Sequence, residues 1–128
     1  MSDTAYLDWP FFTHHHGDLA RTLETWATQH VPQTHGHDVD AECKTLVRKL
    51  GASGWLRYAV AGTAYGGGED SIDTRSICLI RETLARHSGL ADFAFAMQGL
   101  GSGAISLAGT HEQKQRYLTR VVSGEAIA

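Results

Sequence analysis

An apolar stretch spans residues 89–109, and Asp92 is its only charged residue. Wound at about 100° per residue, it predicts a helix whose most apolar side chains fall within a sector of roughly 120°. That sector contains Phe93, Ala96, Met97, Leu100, Ala104 and Leu107, and the opposite side carries Phe95, Gln98, Ser102 and Ser106. Because neither side is strongly polar, we expect a central helix with neighbours all round.

Four further helices are predicted where apolar residues recur at three- and four-residue steps. They cover residues 18–30, 38–50, 72–87 and 112–122. Asp38 is the predicted N-cap of the second helix and Gly51 its end, Asp70 or Ser71 caps the third, and Thr110 opens a capping box before the last. The pattern predicts an all-α domain of five to six helices over residues 17–128, after an irregular lead over residues 1–16.

Composition supports one globular domain. Of the 128 residues, 42% are apolar and 20% charged, and the net charge is −3, which gives no sign of nucleic-acid binding. The first residues lack the basic and apolar regions of a secretory signal, so we expect a cytoplasmic location. Cys43 and Cys78 fall within helical patterns, and we expect both to be buried, reduced thiols.

The histidines are the candidate metal ligands. His14, His15 and His16 are adjacent, and His35 and His37 form a second, looser pair. Adjacent side chains on an irregular segment diverge, and no cysteine or carboxylate completes a set of four converging ligands. We therefore expect no metal site and predict solvated histidines near helix ends.

The glycines of the apolar stretch allow two other interpretations. The spacing of Gly99 and Gly103 suits close packing of transmembrane helices, but Asp92, the mid-span Gln98 and the lack of interfacial anchors predict no membrane span. Gly99, Gly101 and Gly103 also fit a dinucleotide-binding motif, which has meaning only between a strand and a helix. No second strand with a terminal acid follows, so packing glycines in a helix are favoured.

A second glycine-rich segment, residues 64–71, invites comparison with a phosphate-binding loop. It lacks the lysine followed by serine or threonine that such a loop requires. An ordinary connection between helices is at least as good an interpretation.

Several ordered segments resemble the amino-terminal domain of acyl-CoA dehydrogenases. They are Leu50-Gly51-x-x-Gly54-Trp55-Leu56, Ala64-Tyr65-Gly66-Gly67, Glu82-x-Leu84-Ala85-Arg86, Gly109-Thr110-x-Glu112-Gln113-Lys114-Gln115-Arg116-Tyr117-Leu118 and Ser123-Gly124-Glu125. Their order and spacing fit the family from about residue 17 onward.

The resemblance implies that the functional groups of the enzyme are distributed over three domains. Family members have this helical domain, a middle β domain and a carboxy-terminal helical bundle, and use FAD to dehydrogenate acyl-CoA thioesters between the α and β carbons. The base and most of the flavin site belong to the other two domains, which we expect to be missing here. The resemblance thus implies no catalytic residue in this chain, no tight FAD binding, and acyl-CoA and an electron acceptor as partners of a homo-oligomeric parent enzyme.

The resemblance also implies a wall of the acyl pocket on the central helix. By alignment the wall positions are Asp92, Phe93, Ala96, Met97 and Leu100. Periodicity independently places four of these five on one face. Packing in the core is the competing interpretation of the same stripe.

The alternative to an enzyme domain is a free-standing helical binding or assembly module without catalytic activity. Such a module would have a polar exterior. A domain that belongs to a larger enzyme would instead expose apolar surface and self-associate when isolated.

Overall fold

The computed structural model describes residues 3–33 and 36–128 of the chain. Five α-helices form the domain: α1 (His14–His30), α2 (Val39–Ala52), α3 (Thr74–His87), α4 (Gly89–Ala108) and α5 (His111–Val122). Three short 3-10 helices cover Ala5–Asp8, Trp55–Ala59 and Thr63–Tyr65. α4 packs against α2, α3, α5 and the Trp55–Ala59 segment, which makes it the central helix. The predicted all-α fold is confirmed.

Helix boundaries follow capping groups, and three of them were predicted wrongly. α2 continues through Gly51 to Ala52, and α3 begins at Thr74 because Asp73 is its cap. Asp70, a predicted cap, instead accepts hydrogen bonds from the backbone and side chain of Thr63. α1 begins at His14, so the last three residues of the predicted lead are helical.

Two caps were predicted correctly. The Asp38 carboxylate accepts a hydrogen bond from the Ala41 amide at the start of α2. Thr110 and Gln113 form the predicted capping box of α5, with distances of 2.9 and 3.2 Å between the paired groups.

The main core lies where α1, α2, α3 and α4 meet the Trp55–Ala59 segment. Its fully buried side chains include Leu23, Leu50, Leu56, Ile80 and Leu84. A smaller cluster under α5 contains Val60, Leu118 and Val121. Tyr117, on the same helix, is exposed.

The orientation of α4 differs from the prediction. Its weakly polar side, with Phe95, Gln98 and Ser102, is buried, whereas Leu100 and Leu107 on the most apolar side are 75% and 80% exposed. The expectation of neighbours all round is therefore wrong for this chain. Only one side of α4 is packed.

Gln98 explains which side of α4 faces inward. Its side-chain amide donates to the carbonyls of Ala126 (3.0 Å) and Val121 (3.3 Å), and its side-chain oxygen accepts from the Ala128 amide (2.8 Å). Ser102 donates to the Gln98 carbonyl at 2.7 Å. Because the buried amide is satisfied by backbone groups in the last turn of α5 and after it, α4 keeps this side inward.

The start of α3 is held to α1 by a buried histidine. His16 is 2% exposed, which corrects the prediction that the adjacent histidines are all solvated. The Thr13 N–H donates to His16 Nδ1 (3.0 Å), so Nε2–H donates to Asp73 (2.7 Å). Burial raises the pKa of Asp73, but hydrogen bonds from His16, Ser76 and Arg75 outweigh it and hold that pKa well below its usual range.

The cysteines were also predicted wrongly in part. Both are free thiols, but Cys78 is exposed and Cys43 is half-buried. Burial, with the charge of Asp40, raises the pKa of the Cys43 thiol.

We predict that Asp73→Asn lowers the free energy of unfolding near neutral pH by about 1–3 kcal/mol, because His16 and Ser76 lose a charged partner. The folded-state pKa of Asp73 lies below its unfolded value of about 3.9, so its contribution is present above about pH 4 and lost in stronger acid. The variant should therefore lose less stability between about pH 5 and pH 3. Urea titrations across that range measure this, with exposed Asp8→Asn as control, and identical acid slopes for Asp73→Asn and the parent would contradict it.

We also predict that Gly51→Ala destabilises the fold, because α2 meets the end of α5 at backbone distance. A Cβ at Gly51 would lie 2.2 Å from the Ser123 carbonyl oxygen. The expected loss is about 1–3 kcal/mol of unfolding free energy. Gly103→Ala on α4 is the matched control, since a Cβ there meets nothing within 4 Å and should gain up to about 1 kcal/mol. Equal unfolding midpoints for the two variants would refute the close approach.

Candidate functional site

An apolar groove of about 440 Å³ lies between α3 and α4. Its volume is within the range of small-molecule sites, roughly 300–1,000 Å³. Most of its lining comes from α4, and the rest comes from α3, the segment before α3 and the Trp55–Ala59 segment. The lining residues are Ala59, Ile72, Ile77, Arg81, Phe95, Ala96, Gly99, Leu100, Gly103, Ser106 and Leu107.

The structure brings two of the five predicted wall residues into this groove. Ala96 and Leu100 line it. Phe93, 54% exposed, and half-buried Met97 lie on α4 outside the lining. Asp92 is linked to the groove only through the arginine that it binds.

Arg81 is the one charged side chain among the described residues that line the groove. Its Nε and Nη2 donate to the two carboxylate oxygens of Asp92 at 2.8 and 2.9 Å. This bidentate hydrogen bonding and the Asp92 charge raise the pKa of Arg81. An ion pair between Arg81 and Asp92 therefore lies at the end of the groove that is nearest the turn between α3 and α4.

Several lining residues were missed by sequence reasoning. Ile72, Arg81 and Ala59 come from segments outside α4, and only the tertiary structure brings them together. Gly99 and Gly103 could have been identified from the sequence. Two glycines one turn apart destabilise a helix, which indicates that another group approaches its backbone there.

A second cavity, of about 500 Å³, is a weaker candidate. It is polar, and its lining mixes Arg57 and Arg75 with Glu69 and Asp73. Arg75 donates to Asp73 and to the Phe11 carbonyl, so the Arg75 charge is already compensated. No excess of either charge points to a ligand there.

The glycine-rich loop does not fit a phosphate cradle. The Gly67 amide donates to the Gly62 carbonyl (3.0 Å) and the Gly68 amide to the Arg57 carbonyl (2.9 Å). A phosphate needs these N–H groups free. The loop is a closed connection between helices.

Among residues 3–33 and 36–128, histidine, cysteine and acidic side chains do not gather in threes that could hold a metal ion. His35 of the predicted loose pair lies outside the described residues. Glu82 accepts a hydrogen bond from Tyr6 (2.8 Å) and pairs with Arg86. Burial and this contact with Glu82 raise the pKa of Tyr6 to about 12.

In the described ranges, the helices are too short or too polar to cross a bilayer.

Together, these observations define an all-α domain with an apolar groove beside its central helix. The family "Acyl-CoA dehydrogenase, N-terminal domain" matches residues 13–125. The chain belongs to the acyl-CoA dehydrogenase family, as its amino-terminal helical domain.

Two curated relatives cover nearly the whole chain. A probable acyl-CoA dehydrogenase of Bacillus subtilis (strain 168) is 33% identical over 121 residues, which is 91% of this chain and 20% of the relative. A 3-(aryl)acrylate reductase of Clostridium sporogenes (strain ATCC 15579) is 30% identical over 118 residues, 90% of this chain and 30% of the relative. The chain thus spans between a fifth and a third of the relatives it matches.

We predict that the exposed side of α4 makes the isolated chain self-associate. Replacing both Leu100 and Leu107 by Gln should weaken association about tenfold or more, because each leucine contributes roughly 1.5–3 kcal/mol when buried. Sedimentation equilibrium measures the change. Val39→Gln, at an exposed apolar residue on α2, is the matched control. A parent chain that stays monomeric at high concentration would contradict the prediction.

Proposed function

We propose that this domain supplies one wall of the acyl-binding pocket in a FAD-dependent enzyme that dehydrogenates an acyl-CoA thioester between its α and β carbons. The observation that carries the proposal is the apolar groove beside the exposed side of α4. A helix that leaves Leu100 and Leu107 in water needs an apolar occupant or neighbour in the complete protein.

The five positions implied by the family have different parts in this proposal. Ala96 and Leu100 contact the acyl chain from the groove. Phe93 and Met97 extend the same apolar surface beyond it. Asp92 acts by holding Arg81 at the end of the groove, where its charge is compensated and an apolar chain can lie beside it.

FAD belongs to the family's chemistry, and this chain's residues do not fit a flavin site. The glycine motif of Gly99, Gly101 and Gly103 lies inside α4 and not at a strand-to-helix turn. Ser88 caps the first turn of α4 and Asp73, an acid, caps α3, so these helix N-termini offer no open anion site. We therefore assign the flavin and the reacting groups to other domains of the whole protein.

The relatives' names support an oxidoreductase. One name states dehydrogenation of an acyl-CoA, and the other states reduction of a 3-(aryl)acrylate. We extend the redox class to the protein that contains this domain, with an electron acceptor and a homo-oligomeric assembly as further proposals. The free-standing module is less well supported, because its polar exterior is at odds with exposed Leu100 and Leu107.

A titration of the ¹⁵N-labelled chain with octanoyl-CoA tests the proposal. We expect the largest amide shifts at Ala96, Gly99 and Leu100, because these residues face the groove. Leu100→Glu should weaken binding about tenfold or more, since it sets a charge against an apolar chain. Val39→Glu is the control for added charge.

The same chain should not hold FAD or reduce an electron acceptor when given octanoyl-CoA. Flavin that stays bound through gel filtration, or acyl-CoA-dependent turnover, would contradict the assignment of chemistry to other domains. Amide shifts confined to the polar cavity around Arg57 would contradict the groove as the acyl wall.

A further inference from the structure

Neither the backbone conformation nor the packing of the folded chain requires glycine at position 103. Gly103 lies inside α4, where glycine is the least favourable residue after proline. Its φ is not positive, so its backbone does not require glycine. A Cβ there would meet nothing within 4 Å, whereas a Cβ at Gly101 would lie 2.8 Å from Ala128. The lack of a side chain at Gly103 therefore enlarges the groove and does not serve a close contact with another part of the chain.

Gly99 extends this space along the groove. It stands four residues before Gly103, about 6 Å along the helix axis, and both line the groove. A Cβ at Gly99 would make only ordinary contact with Ala59, at 3.4 Å. Without side chains at these two positions, the backbone of α4 itself lines this strip of the groove, together with the Ile77 and Leu100 side chains.

Ser106 adds a polar group without a partner to the same groove. The residue lines the groove and is 6% exposed, and its hydroxyl has no hydrogen-bond partner in the described part of the chain. Ser102, one turn earlier, instead donates to the Gln98 carbonyl. A buried hydroxyl without a partner is costly, so a ligand group that forms a hydrogen bond with Ser106 would be favoured at this end of the groove.

Resting on the proposed function, we infer that Gly103 and Ser106 are specificity-determining residues, and that they select acyl groups bearing a ring with a hydrogen-bonding oxygen. A straight methylene chain needs no flat strip over two glycines. A ring lies flat on that strip between the Ile77 and Leu100 side chains. An oxygen on the ring then pairs with the Ser106 hydroxyl.

The test titrates the full ¹⁵N-labelled chain with three neutral probes: p-cresol, toluene and 1-octanol. Both ring compounds should shift the Gly99 and Gly103 amides more than 1-octanol does. p-Cresol should bind about 3- to 10-fold more tightly than toluene, the equilibrium effect of one added hydrogen bond.

Three variants assign the effect to residues. Gly103→Leu fills the strip and should weaken both ring probes at least about tenfold, and its thermal unfolding checks that the domain is intact. Ser106→Ala should abolish the preference for p-cresol and leave toluene binding unchanged. Gly89→Ala, on the same helix with nothing within 4 Å of the added Cβ, should change neither.

The outcomes separate this inference from the proposed function. Octanoyl-CoA and 1-octanol binding in the groove while the ring probes do not would overturn the ring selectivity and leave the acyl wall standing. An unchanged p-cresol preference in Ser106→Ala would overturn the role of Ser106. Groove binding by p-cresol without any by octanoyl-CoA would support ring recognition and contradict the acyl-CoA assignment.

Discussion

The buried amide of Gln98 is the constraint on which the rest of this domain depends. Its donors and its acceptor are all taken by backbone groups of Val121, Ala126 and Ala128. An unsatisfied amide inside the fold would cost several kcal/mol, so the helix that carries Gln98 must turn this side toward α5 and the segment after it. The bonds thus fix the rotation of α4, the course of the chain after α5 and the side of α4 that is left over.

The side of α4 that is left over is the surface that we propose to contact the ligand. Turning α4 to bury Leu100 and Leu107 would gain about 1.5–3 kcal/mol for each, but would break the Gln98 bonds and expose Phe95, which is buried at 1%. The packed arrangement wins because it satisfies polar and apolar groups together. The result is a helix with its apolar side in water, next to a groove walled by Ile72, Ile77 and Arg81. An exposed apolar side on α4 is consistent with our proposal that a ligand or another domain covers it.

The sequence predicted the elements of this fold better than the way they face each other. Periodicity and capping chemistry found all five helices, because these signals are local, and Asp38 and Thr110 cap as predicted. The burial of His16 was not predicted, because its partner Asp73 lies 57 residues away in the sequence. The environment of the apolar side of α4 was predicted wrongly, because helical periodicity identifies which side is apolar but not what packs against it. Ala96 and Leu100 were predicted through family resemblance, whereas Arg81 joins the site only through a tertiary contact with Asp92.

If Gln98 holds α4 with its apolar side outward, the solvent accessibility of the α4 side chains must show it. A soluble nitroxide added to the methyl-labelled chain, dilute enough to be monomeric, broadens signals in proportion to exposure. The structure predicts strong broadening at Leu100 and Leu107, little at Leu84 and Leu118, and slow water exchange of the Gln98 side-chain amide. Protected Leu100 and Leu107 methyls together with a rapidly exchanging Gln98 amide would contradict this orientation of α4.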